Sequence, residues 1–246
     1  MSLFRLSIEK VLAYFQTLYL AVGRGELFSL GLIILLNAGC LIVVAWLLKQ
    51  NPHISGSGIP QVEGVLTGEI TDNWWATLWR KFTAGILAIG SGLMLGREGP
   101  SIQLGAAIGQ GVAKYRHLSH NKAKSLIASG AAAGLSAAFN APLAGVMFVL
   151  EEIYHSISPF VWVGAVTGAT VSDFVSTVMF GQTPVLAVGN LTVFPVKLYG
   201  LLLVFGLMLG LFGYLYQRVL LASLSLYDKL SCLLYTSDAA DDMQCV

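Results

Sequence analysis

Gly56-Ser57-Gly58-Ile59-Pro60 and Gly96-Arg97-Glu98-Gly99-Pro100 are two glycine-rich breaks set in apolar sequence, each closed by proline. In a soluble protein they would read as ordinary turns. The rest of the chain decides otherwise. It has 246 residues, 56% hydrophobic and 11% charged, where a soluble domain carries about 25% charged residues. So few charges cannot cover a water-facing surface, and the bilayer must be the solvent. Unpaired backbone groups are costly in hydrocarbon, so irregular backbone at membrane depth is kept only where protein buries it or a cavity uses it. Short apolar segments interrupted by Gly and Pro therefore point to a binding site built from half-helices.

Working outward, Leu27 to Leu48 is free of charge and long enough to span, and Lys49-Gln50-Asn51-Pro52-His53 closes it. Trp74, Trp75 and Trp79 beside Arg80 and Lys81 are expected at the membrane–water interface. Phe82 to Leu95 and Ser101 to Ala113 are apolar but short. The stretch from Lys114 to Lys124, with Arg116 and Lys122, is expected to be cytoplasmic by the positive-inside rule. Ser125 to Leu150 is broken at Asn140-Ala141-Pro142 and followed by Glu151-Glu152. Ile157 to Val196 carries one charge, Asp173, and is divided at Gly181-Gln182-Thr183-Pro184. Leu198 to Gln217 is a last span, continuing amphipathically to Leu230.

Gly105/Gly109, Gly130/Gly134, Gly164/Gly168 and Gly206/Gly210 repeat a small residue at four-residue spacing, which lets helices approach closely in lipid. Any one pair can arise by chance in so glycine-rich a chain, but together they predict a tightly packed bundle. The fold class is therefore all-α, a polytopic membrane helical bundle with short, interrupted half-helices. The amphipathic start, Phe4 to Leu20, lacks the apolar core and cleavage site of a signal peptide. Residues 1–230 are expected to form one membrane domain. Residues 231–246, with acidic Thr236-Ser237-Asp238-Ala239-Ala240-Asp241-Asp242, read as a non-native or disordered tail.

Pro60, Pro100 and Pro142 each follow a loop, and proline is favoured at the first helical position. Each break is thus expected to open a helix. Glycines let the loop turn tightly and approach a ligand. The unpaired N–H groups and positive dipole end of such a helix favour an anion, and Ser57 adds a hydroxyl donor. Glu98 sits in the second loop. Ionised, its carboxylate competes for the anion position; protonated, it has no reason to stay there. The alternative for Glu98 is an ion pair with Arg97 or a helix cap, and for Gly56–Pro60 a plain turn. Glu151 and Glu152 read either as a solvated helix end or as proton acceptors facing interior water. Glu63 is placed on the first turn of a helix, where it is favoured by the dipole and can partner another carboxyl group.

Other classes find little support. No GxxxxGK[ST] loop, Gly-x-Ser-x-Gly elbow, His-Glu-x-x-His helix or aspartate pair occurs, so the chain does not read as an enzyme. His117-Leu118-Ser119-His120 reads as a solvated loop, with no further metal ligand near. Cys40, Cys232 and Cys245 read as inert, and the sequon Asn190-Leu191-Thr192 as accidental. A net charge of +1 gives no argument for nucleic acid.

The two motifs, together with Phe139-Asn140-Ala141-Pro142-Leu143-Ala144-Gly145 and Glu151-Glu152 in the same order, strongly resemble the CLC family of chloride channels and proton-coupled chloride transporters. The resemblance implies that Ser57 coordinates a central chloride in a filter formed by Gly56–Pro60 and Gly96–Pro100. It implies that Glu98 is the external gate and that Glu152 transfers protons at the interior side. Glu63 then resembles the acid supporting the internal one, and Lys81 a basic residue near the pathway. Family channels lack an acid at the position of Glu152, which favours an antiporter over a channel, and Ser57 favours chloride. Chloride and protons are then the transported ions, with no cofactor. A homodimer in a bacterial plasma membrane is implied for the full-length protein. The family has two inverted halves. This match begins within the first long helix of the first half and ends in the first helix of the second. The third filter segment, Gly-x-Phe-x-Pro, the tyrosine closing the site from inside and the cytoplasmic nucleotide-binding domains have no counterpart here. The chain therefore reads as a fragment, truncated at both ends.

Overall fold

The computed structural model describes residues 1–23, 27–155, 158–181 and 199–229. Every regular element among them is helical. The helices are α1 (Ser2–Gly23), α2 (Leu27–Gln50), α3 (Ile59–Thr67), α4 (Trp74–Gly90), α5 (Glu98–Tyr115), α6 (His120–Phe139), α7 (Pro142–Phe148), α8 (Pro159–Phe180) and α9 (Tyr199–Lys229). A 3₁₀ turn, Pro52–Ile54, precedes α3, and a π turn, Val149–Ile153, ends α7. The described residues form two units, α1–α8 and α9. α2, α8 and α9 are long and apolar enough to cross a membrane. Cys40 is free. Cys232, Cys245, the sequon at Asn190, the break after Gly181 and the tail 231–246 lie outside the described residues.

The first unit is organised around α6, packed between α5 and α8. Small side chains line the helix seams of its core: Ala128, Ala131, Ala132, Ala165 and Ala169 are fully buried. A Cβ on Gly105 would overlap the Gly130 carbonyl, and one on Gly130 would overlap the Gly105 carbonyl. A Cβ on Gly134 would overlap the backbone of Ser101, and one on Gly109 the backbone of Leu126. Gly164 and Gly168 bring α8 against Ser129, facing its Oγ and its carbonyl. Helices in lipid gain nothing from hiding apolar surface, so van der Waals contact and polar cross-links must hold them. Ser136 Oγ donates to Ala169 O at 2.9 Å and Ser172 Oγ to Ala133 O at 2.7 Å, which supply such links. Three of the four glycine pairs thus mark close helix approach. The fourth, Gly206/Gly210, lies on α9.

Many large apolar side chains point outward. Phe28 on α2 and Phe160, Phe174 and Val178 on α8 are exposed, as on a surface that meets lipid or further protein. α1 covers α4: Phe4 and Ile8 are buried among Leu78, Phe82, Ile86 and Leu104.

The apolar stretch beginning at Phe82 starts earlier than its composition indicated. α4 opens at Trp74, because Asn73 caps it by accepting the Trp75 N–H on its side-chain oxygen. The cations Arg80 and Lys81 also part company. Arg80 lies over the Trp79 ring at 5.3 Å. Lys81 is not an interfacial cation: it is 4% exposed and points into the bundle.

Candidate anion site

Both motifs open helices, and those helices meet. Gly58 caps α3 in the left-handed region at φ 88°, and Pro60 takes the second helical position. A side chain at Gly58 is excluded twice, by this φ and by Gln103, which lies where a Cβ would be. α5 begins at Glu98, with Arg97 as its cap, so Pro100 is its third residue and not its first. The helix therefore starts before the proline, and Glu98 itself belongs to the first turn. Glycine at position 99 brings the backbones into direct contact, since a Cβ there would overlap the carbonyl of Ser57. The positive ends of α3 and α5 are consequently side by side. The first-turn N–H groups of each have no carbonyl within their helix to take them.

The local hydrogen bonds leave Ser57 poised as a donor. Its Oγ accepts the Ile59 N–H at 3.4 Å, and its side chain is exposed. Gly56, Ser57 and Gly96 are exposed, while Arg97 and Glu98 are half-buried. Behind the loop, Lys81 Nζ donates to Ile54 O at 2.8 Å and to Gly56 O at 2.9 Å. Its charge thus polarises the loop peptides from within the bundle. Gln103, buried on α5, donates through Nε2 to His53 O at 2.7 Å and ties α5 to the segment entering the first motif.

Glu98 makes no ion pair with Arg97; among the described residues the ion pairs are Arg5–Glu9 and Glu63–His155. Nor does Glu98 occupy the cap position. Its carboxylate folds back over Gly96, in space that a Cβ on Gly96 would take. The first residue of α5 therefore holds its acid against the backbone of the loop before it, beside the two helix ends.

The third break does not join this site. Asn140, at φ 54°, ends α6, and its side-chain oxygen accepts from Ser176 Oγ at 3.1 Å. Pro142 opens α7 at once, so the break is a reversal between α6 and α7. α7 runs back along α6 and brings Val149, Leu150 and Ile153 into one buried cluster with Ile127, Ala128 and Ala131. Glu151 and Glu152 thereby lie towards the Lys114–Lys124 end of the bundle, exposed on a π turn closed by Tyr154 N–H to Val149 O at 2.8 Å. They are part of neither loop. Ser101, at the start of α5, packs near Gly134 of α6, and Ile127 lies seven residues earlier. At 1.5 Å per residue, Glu98 and the Glu151–Glu152 pair differ in height by on the order of 10 Å or more.

Glu63 falls beyond the first turn of α3, since four residues, Ile59 to Val62, precede it in the helix. Its partner is a histidine rather than a carboxyl group: Glu63 Oε1 lies 3.0 Å from His155 Nε2. Sequence reasoning missed His155 and Gln103. The only signal for Gln103 was a polar residue inside an apolar segment, and nothing local marks His155. Among the described residues, no cluster of His, Cys, Asp and Glu is suited to hold a metal ion.

Removal of Lys81's charge tests its supporting role. Lys81→Met leaves the Ile54 and Gly56 carbonyls without their donor, at about 1–3 kcal/mol for a buried unsatisfied group. We expect chloride affinity to fall by about tenfold, equivalent to about 1.4 kcal/mol. A chloride titration by calorimetry that matches the parent protein would refute this role.

Comparison with known proteins places the chain. A sequence model of the family described as voltage gated chloride channel matches residues 39–237, and the chain belongs to that family. It is 40% identical over 188 residues to the H(+)/Cl(-) exchange transporter ClcA of Citrobacter koseri, covering 74% of this chain and 39% of that protein. It is 40% identical over 199 residues to the same-named protein of Klebsiella pneumoniae subsp. pneumoniae, covering 77% of this chain and 41% of that one. The chain thus spans about two fifths of the length of these curated relatives. Its fold is similar to the crystal structure of a slow cyanobacterial Cl⁻/H⁺ antiporter, with TM-score 0.83, 30% identity, and coverage of 92% of this chain and 54% of that one. A eukaryotic CLC transporter structure shares the fold at TM-score 0.59 and 23% identity, over 77% of this chain and 36% of that one. The chain is accordingly a multi-pass membrane protein.

Proposed function

We propose that this chain forms the anion-binding half of a proton-coupled chloride antiporter. The observation that carries the reading is the contact of Gly99 with Ser57, which joins the positive ends of α3 and α5 with the Glu98 carboxylate beside them. Two helix N-termini attract an anion without a full positive charge at the ligand, so the ion can also leave. Glu98 competes for that position when ionised and withdraws when protonated, which links proton occupancy to anion occupancy. Glu152 lies at the other end of the proposed proton path, on the side of the basic loop. The relatives named as exchange transporters support this reading. We place the full-length protein in a bacterial plasma membrane as a homodimer, with chloride and protons as its transported ions.

The test is flux in liposomes reconstituted with the full-length protein. A chloride gradient should drive protons uphill. Chloride flux without proton movement would make the protein a passive channel and sink the antiporter reading. Glu98→Gln is expected to abolish proton coupling while chloride still moves, because an amide cannot titrate. Glu152→Gln should stop proton movement while chloride transport persists. Normal proton uptake in either variant would count against that residue's role.

A further inference from the structure

We infer that His155, paired with Glu63, is a proton-loading relay at the interior end of the molecule and feeds Glu152; this rests on the antiporter reading above. His155 is the second residue after the π turn that carries Glu152. Its φ of 51° lies in the left-handed region, which a residue with a Cβ enters at a cost. That bend directs the imidazole across to α3, where Nε2 lies 3.0 Å from Glu63 Oε1. The side chains are 59% and 40% exposed. An ion pair so exposed returns little stability, less than the backbone conformation costs. Holding the fold together does not account for the arrangement, whereas contact with water at one end and with a carboxylate at the other suits proton transfer.

Imidazole titrates between pH 5 and 8, where carboxylates alone are nearly always ionised. A carboxylate waiting at neutral pH rarely meets a hydronium ion, and a histidine beside it keeps a proton within reach. In the step we propose, imidazolium Nε2–H passes its proton to the Glu63 carboxylate, leaving neutral imidazole and a neutral carboxyl group. α3, which carries Glu63, packs against the π turn that carries Glu152, so the Glu63 proton is passed on to the Glu152 carboxylate, and His155 takes the next proton from water. The segment preceding His155 adds Glu151, Glu152 and Tyr154 to the local field. Of the elements packed against α3 and the π turn, α7 has no ionisable side chain. α6 contributes His120, Lys122 and Lys124, and α5 contributes Glu98, Lys114 and Tyr115.

The experiment compares the full-length protein with His155→Gln, Glu63→Gln and the double variant in liposomes, measuring proton and chloride flux from about pH 5 to 8 across the imidazole range. For His155→Gln, proton flux should drop about tenfold near pH 7.5 and recover towards pH 5, where hydronium reaches the carboxylates directly. Chloride flux should fall far less, and the double variant should be no worse than either single one. Wild-type proton coupling together with a normal His155→Gln profile overturns the relay alone. Parallel loss of both fluxes, or additive losses in the double variant, also overturns it and makes His155 a packing residue. A wild-type protein that moves no protons uphill overturns the antiporter reading itself.

Discussion

Gly99→Ala is expected to cost the full-length protein most of its saturable chloride flux. Gly99 has helical backbone with no positive φ, so alanine is conformationally acceptable there and the effect is purely steric. The added methyl would meet the carbonyl oxygen, carbonyl carbon and Cα of Ser57. Those atoms are backbone at the mouth of α3 and cannot rotate aside as a side-chain end could. The two helix starts must move apart, and overpacking of this kind typically costs about 1–3 kcal/mol. If that strain is relieved by separating the loops, the anion loses one of its two sets of donors, and affinity falls by about tenfold for each 1.4 kcal/mol. Chloride titration by calorimetry, beside a flux assay, reads this out. Gly96→Ala is the informative contrast. Its methyl meets only the end of the Glu98 side chain, which can swing away. That variant should retain anion binding and change the pH dependence of flux. Parent-like chloride affinity in Gly99→Ala would refute the convergence of the two helix ends as the basis of the site.

The second large effect is expected on folding. Gly105→Val should prevent α5 and α6 from closing, because the Gly105 Cβ position overlaps the Gly130 carbonyl and the reciprocal overlap holds for Gly130. Valine adds two further methyl groups to a site with no room for one. The expected cost is at least the upper part of the overpacking range, about 3 kcal/mol, which is a large share of a typical stability of about 5–15 kcal/mol. The measurement is the yield of monodisperse protein in detergent and its thermal unfolding midpoint. Gly85→Ala should be milder, because its methyl meets the end of the Phe4 ring and no backbone atom. Equal stability of Gly105→Val and the parent would show that the α5–α6 contact is dispensable.

Much of the fold was legible because hydrocarbon imposes strict local conditions. The low charge of the chain, the span from Leu27 and the breaks at Gly56–Pro60 and Gly96–Pro100 follow from backbone satisfaction in lipid and from the conformations that Gly and Pro allow. These are properties of neighbouring residues, so a single sequence shows them. The same chemistry placed Ser57 and Glu98 in loops that open helices. It also erred where geometry is finer than pattern: Pro100 looked like a first helical residue, yet the helix begins at Glu98.

The tertiary structure decided which breaks belong together. Three breaks looked alike in sequence. Only two meet, because Gly99 has no side chain to hold α5 away from Ser57, whereas Asn140 is held by Ser176 of α8. A glycine reads the same whether it supports a turn, as Gly58 does at φ 88°, or a close approach, as Gly105 does. Lys81 likewise read as an interfacial cation beside Arg80, and its direction into the bundle depends on carbonyls some 25 residues away in the chain. The pairing of Glu63 with His155 joins residues 92 apart in the chain. By itself, the sequence determined that this is a membrane protein with anion-friendly helix starts, because those conditions are local. Only packing between distant segments could decide which helix starts meet, what supports them from behind, and that His155 stands beside Glu63.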